Sequence, residues 1–315
     1  MEFEIPPPDR VPFGMRAMKT VALADGEFDA TERALMEAAQ KLFGVEVDID
    51  GLDLITPQQL AEEITDPQLR WQLGHGLIVM ALADGEASTA EFDQVREFAD
   101  ALEVDSEAFG TLHKLADHHF MAARVDVARH FFAREKILER AQLDGFGWLA
   151  KSVATLAGLS EDKQLAARYQ ALEDYPANTL GRCYAEFIRS NGFSFPGERG
   201  SPPEPIILHD MTHTLGGYDT TPRGELQVLG FHAGFRKRHP FTFLLFGLMQ
   251  FHMGIRITPL TKGVTDNLEP ELLLEALARG AAMNIDLTAM WDPWGVMDHD
   301  IDELRQQYDI APRGD

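Results

Sequence analysis

The segment ALADGEFDATE at Ala22–Glu32 returns as ALADGEASTAE at Ala81–Glu91. This internal repeat constrains the fold more than any other feature of the chain. Two copies are too few for a solenoid, which needs at least three stacked units to bury a continuous core, so the repeat predicts one pseudo-symmetric pair. Each copy leads into apolar residues at helical spacing: Leu35, Ala38, Ala39, Leu42 and Phe43 after the first, and Phe92, Val95, Phe98, Ala99 and Leu102 after the second. That period places one greasy stripe on each of two amphipathic helices. Asp29-x-x-Glu32 and Ser88-x-x-Glu91 mark their starts as capping boxes, in which an N-cap side chain and a carboxylate three residues on satisfy orphan amides.

Two uses are open to the acids of these loops. They can cap helices, or they can converge on a hard cation, which takes six to eight oxygens from flexible carboxylate loops. The second use would draw on Asp25, Glu27, Asp29 and Glu32 in one loop and Asp84, Glu86 and Glu91 in the other, with calcium or magnesium as the ion. Neither loop has the glycine placement of the twelve-residue calcium loop. With DGE ahead of each of two helices, the chain resembles the tellurite-resistance TerB-like domain over about residues 14–120. The resemblance implies a helical domain whose acidic loops are proposed metal sites.

Charge locates the boundaries. Of a net −23, −15 falls between Arg16 and Glu107, where six basic residues face twenty-one acidic ones, and only −8 falls from Ala171 to Asp315. A length of 315 residues suits two domains. The reading is therefore an all-α chain with an acidic domain at 14–120, a helical connector at 121–170 and a second helical domain at 171–315. In the connector region Leu112, Leu115, Phe120, Val127, Phe131, Ile137 and Leu138 are read as buried, and the crowded His113, His118 and His119 as surface or satisfied residues. So large a negative charge repels phosphate backbones and argues against nucleic acid. One cysteine, Cys183, permits no internal disulfide and fits a reducing compartment. The opening MEFEIPPPDR has neither the basic nor the apolar region of a secretory signal, which points to the cytoplasm.

The chemistry concentrates in HDMTHTLGGYDTTPRGE, His209–Glu225. His209 and His213 stand four apart and share one face of a helix. Gly216 and Gly217 end that helix, Thr221-Pro222 begins another, and Glu225 falls in its first turns, where the returning chain can bring the carboxylate to the imidazoles. Two histidines and a carboxylate leave positions open for water or substrate on a divalent metal. Asp210 is either a further oxygen ligand or a group that orients an imidazole. A pair of core histidines beside an unrelated acid is the alternative.

HDxxH followed by eleven residues and a glutamate is the motif of the coenzyme Q (ubiquinone) biosynthesis protein four family, and His209, Asp210, His213 and Glu225 match it in full. TLGRCYAEF at Thr179–Phe187 resembles that family's TLG-x-x-Y segment, and DIDELRQQYDIAP at Asp300–Pro312 its closing helix. The resemblance covers about residues 172–315. It implies an all-helical domain that binds a metal, usually zinc, accommodates isoprenoid tails, and serves ubiquinone biosynthesis. Its role there is oxidative decarboxylation at ring carbon one of the prenylated precursor, or organisation of the pathway proteins.

Downstream, Arg236, Lys237, Arg238 and His239 precede an uncharged run from Pro240 to Ile255. Its 16 residues fall short of the ~20 needed to span a bilayer. The run is either a central buried helix or a groove for a prenyl tail, with Phe241, Phe243, Phe246 and Met249 as walls and the basic cluster facing an anionic membrane surface or head group. Trp291 and Trp294, around Pro293, are read as packing anchors, and His299 as solvated.

The leading expectation is thus a metal-dependent protein of the ubiquinone-pathway type, peripheral to the inner membrane, with an isoprenoid quinone lipid and other pathway proteins as partners and a homodimer left open. No flavin, nicotinamide or P-loop signature accompanies the motif. A non-catalytic lipid-binding scaffold and a metal-responsive stress protein are the alternatives.

Overall fold

A computed structural model describes residues 3–130, 132–258, 261–289 and 291–314, and helices are the regular structure among them. Fifteen α-helices follow one another. They are α1 (Val11–Ala22), α2 (Ala30–Phe43), α3 (Pro57–Glu63), α4 (Pro67–Met80), α5 (Thr89–Ala101), α6 (Glu107–Ala116), α7 (Phe120–His130) and α8 (Phe132–Leu156). After these come α9 (Lys163–Gln170), α10 (Leu180–Ser190), α11 (Ile207–Gly216), α12 (Pro222–Phe235), α13 (Phe241–Phe251), α14 (Pro270–Ala281) and α15 (Ile301–Gln307). No strand occurs among the described residues, only two isolated bridges.

The repeat helices form for the local reasons their sequence offers. Asp29 accepts from the Glu32 amide at 2.7 Å while Glu32 accepts from the Asp29 amide at 2.7 Å, and Ser88 and Glu91 make the same reciprocal pair at 3.1 and 3.2 Å. α2 buries Leu35, Ala38 and Ala39, and α5 buries Val95, Phe98 and Ala99. Between them the loop at 49–52 is held by Lys19. Its buried ammonium donates to the carbonyls of Ile49, Asp50 and Leu52, each at 2.9 Å.

Contacts divide the chain into two compact units, Met1–Arg129 with Pro222–Ala281, and His130–Thr221 with Ala282–Asp315. Both units are discontinuous, whereas the sequence suggested consecutive blocks. In the first, α14 packs on α2 and crosses α12. That crossing requires glycine: a Cβ on Gly234 would stand 2.2 Å from the Leu277 carbonyl oxygen, and one on Gly280 would stand 2.1 Å from that of Phe231. His252, just beyond α13, donates through Nε2 to the Ala83 carbonyl at 2.8 Å and so ties this segment to the second repeat loop. These are long-range contacts, which local composition does not encode.

In the second unit α10 packs on α11, and Tyr169, Tyr184 and Phe195 form a buried aromatic cluster. Trp294 packs on Tyr169 and under Arg168, and Trp291 donates to the Tyr308 hydroxyl at 3.0 Å, so both tryptophans anchor packing. Of the apolar residues read as buried, Leu112, Leu115 and Val127 are so, Ile137 is half-buried, and Phe131 lies outside the described residues. Phe120 and Leu138 are exposed instead, on the outward sides of α7 and α8. His113 is exposed and pairs with Asp117 at 3.2 Å, and His118, His119 and His299 are also exposed.

Candidate metal centre

α11 carries His209 and His213 one turn apart, and their Nε2 atoms face each other at 3.2 Å. Two imidazole nitrogens bound to one tetrahedral zinc, each ~2.0–2.1 Å from it, stand about 3.3 Å apart. The helix already holds the nitrogens at that separation. His213 is buried, and its ring is fixed from two sides: Nδ1 lies 3.2 Å from the Tyr218 carbonyl, and Phe187 of α10 stacks on the ring at 5.3 Å. A carbonyl only accepts, so the proton sits on Nδ1, and Nε2 is the nitrogen turned towards His209.

The helix ends at Gly217, whose φ of 73° is left-handed and whose place after the last turn suits a residue without Cβ. Orphan carbonyls at that end are taken up by arginines of the closing segment. Arg305 donates to Leu215 at 3.0 Å and to Thr214 at 3.2 Å, and Arg313 donates to Gly217 at 2.7 Å. Asp219 tightens the turn by accepting from the Thr221 amide at 2.9 Å. Pro222 then opens α12, with Glu225 in its first turn.

His209, His213 and Glu225 each offer a ligand atom within 4.8 Å of the others, and they are the one group of three or more such side chains among the described residues to do so. Two neutral nitrogens and a carboxylate oxygen make a donor set of borderline hardness, suited to zinc and its neighbours. His209 and Glu225 are half-buried, so the group is sheltered but not sealed. It could hold a metal ion.

Asp210, read from sequence as ligand or orienting group, is not part of this set. Its carbonyl accepts from Thr214 Oγ1 at 2.9 Å, and its charge acts on Tyr184. The Tyr184 hydroxyl is fully buried without a hydrogen-bond partner among the described residues; burial first, and Asp210 next, push its pKa well above the usual tyrosine range. Tyr184, Phe187 and Arg305 support the histidine helix. Only their place in the matched flanking segments marked them in the sequence.

The acidic loops are used differently from the cation reading. Asp25 accepts from the Glu27 amide at 3.0 Å and Asp84 from the Glu86 amide at 2.9 Å, while Asp29, Glu32 and Glu91 work in capping boxes. Glu27 and Glu86 are exposed. No three of these carboxylates bring oxygens as close together as the histidine group does. Burial nevertheless pushes Glu32 up to about 7 and Glu91 up to about 8. The charges of Asp84 on both, of Asp25 and Asp29 on Glu32, and of Glu32 on Glu91 add to that rise.

The basic cluster also divides. Arg236 is buried, donates to the Arg238 carbonyl and lies 5.3 Å from the centre of the Phe243 ring, whereas Lys237 and Arg238 are exposed. The three residues therefore do not form one exposed patch. Phe243, Phe246 and Met249 are buried, as is Phe241, which lines an apolar pocket together with Leu244. No helix among the described residues is long and apolar enough to cross a membrane.

A scan of protein-family models gives no match to this chain, and a search of curated proteins gives none either.

Proposed function

We propose that the chain is a zinc protein of the ubiquinone-pathway type, which binds the head group of a prenylated quinone precursor at His209, His213 and Glu225 and supports loss of the ring carboxyl. The observation that carries this reading is the 3.2 Å approach of the two Nε2 atoms within reach of the Glu225 carboxylate, in the spacing HDxxH-x11-E. Zinc bound there supplies a Lewis acid with positions left for a phenolic or carboxylate oxygen. His213 is held in the right tautomer by the Tyr218 carbonyl, Glu225 offsets the ion's charge, and Asp210 beside the buried Tyr184 sets the polarity of the α10–α11 wall. In the oxidative form of the step, carbon dioxide leaves and a hydroxyl takes its place on the ring, a two-electron oxidation for which oxygen or a redox partner would be the oxidant. Other pathway proteins and an isoprenoid-bearing membrane surface are the partners that go with this reading.

Turnover of a carboxylated prenyl-quinone precursor tests it. The wild-type protein releases carbon dioxide, and His213→Ala loses that turnover together with its zinc. A His213→Ala protein that loses zinc yet still complements the pathway identifies the metal as structural and the protein as a lipid-binding scaffold.

A further inference from the structure

The first unit holds a half-open apolar pocket of about 180 Å³. Met15 and Met18 of α1, Leu35 of α2, Val79 of α4, Phe241 of α13 and Leu277 of α14 are among its walls. Of the polar side chains in the lining, His75, Arg10 and Gln72 are already engaged, and Trp71 adds an indole N–H. His75 donates through Nδ1 to the Trp71 carbonyl at 2.8 Å and takes the Ser106 hydroxyl at Nε2 at 2.9 Å. Burial depresses its pKa to about 4, so the ring is neutral. Arg10 pairs with Glu63 at 2.7 Å. Gln72 exchanges two hydrogen bonds of 2.8 Å with the backbone of Glu4. That exchange straps the extended segment holding Phe3 and Pro6 over the cavity, with Phe3 against Phe43 at 6.4 Å.

Gly76 sharpens the point. A glycine inside a helix costs ~1 kcal/mol relative to alanine. Gly74, two residues earlier on α4, faces packed side chains, and a Cβ there would make ordinary contact with Val104 at 3.4 Å and Phe109 at 3.5 Å. Gly76 lines the cavity, and a Cβ there would meet nothing within 4 Å. Here the chain gives up helix stability and gains only open space.

We propose that this cavity is a binding site for one uncharged apolar ring, between benzene and indole in size. The size follows from volume, because an apolar cavity of about 150 Å³ takes up benzene. The absence of charge follows because Arg10 is paired with Glu63 and His75 is neutral, so an ionised ligand would be desolvated without a partner.

Melting of the full chain with benzene, indole or farnesol, in wild type, Gly76→Leu and Gly110→Leu, tests the proposal. Gly110 lies within α6 and also has open space around it, but away from the cavity, so it controls for helix propensity. A ligand that binds only the folded state raises the melting temperature in step with the logarithm of its concentration. The expected result is a logarithmic rise, reaching several degrees, with benzene or indole in wild type and Gly110→Leu, absent in Gly76→Leu, and no rise with farnesol. Equal shifts in wild type and Gly76→Leu, no shift in wild type, or a shift with farnesol alone would overturn it.

Discussion

Glu32 and Glu91 show how one residue can serve two opposing terms. Each carboxylate closes a capping box, which favours its ionised form, yet each is buried beside other acids, which favours the protonated form. Burial prevails, so the folded state holds protons up to about pH 7 at Glu32 and about pH 8 at Glu91, while the unfolded chain releases them near 4.5. Their contribution is therefore fully present below the unfolded value and is lost as pH rises through the folded ones. Urea unfolding should show a stability loss of about 1–3 kcal/mol between about pH 5 and about pH 8. Glu91→Gln keeps the box, since glutamine also serves at that position, and should flatten the upper part of the slope. A variant as steep as wild type would assign the slope to general charge repulsion among the surplus acids instead. At Arg236 the expectation concerns packing: Arg236→Ala should destabilise by about 2 kcal/mol, and Lys237→Ala by less than ~0.5, as read from thermal melts.

Elements differ in how much of them the sequence makes legible. The repeat helices, their boxes, the glycine stop of α11 and the proline start of α12 rest on signals within one or two turns, and the structure has them where the pattern indicates. The histidine pair was legible for the same reason, since four-residue spacing on a helix fixes which side chains meet. The burial of Arg236 and the exposure of Phe120 depend on which helix packs against which. Nothing near those residues in the chain records that. The α12–α14 crossing is the clearest case, because Gly234 and Gly280 lie far apart in sequence and become meaningful only as a pair of close backbones. Gly280→Ala should cost about 1–3 kcal/mol by overpacking although alanine favours the helix, a sign that denaturant midpoints would reveal.

Over the whole molecule, the net −23 marks the acidic N-terminal block well but gives no hint that residues 222–281 share a compact unit with it. Local composition reports solvation, whereas the units follow contacts between distant segments. The account's central claim concerns the metal, and elemental analysis of the purified full chain with titration of the metal-free protein tests it most directly. The predicted result is one equivalent of zinc per chain, with affinity lowered by more than about tenfold in His213→Ala and in Glu225→Gln. A wild-type chain that neither carries nor takes up zinc, or variants that hold it as tightly as wild type, would contradict the account.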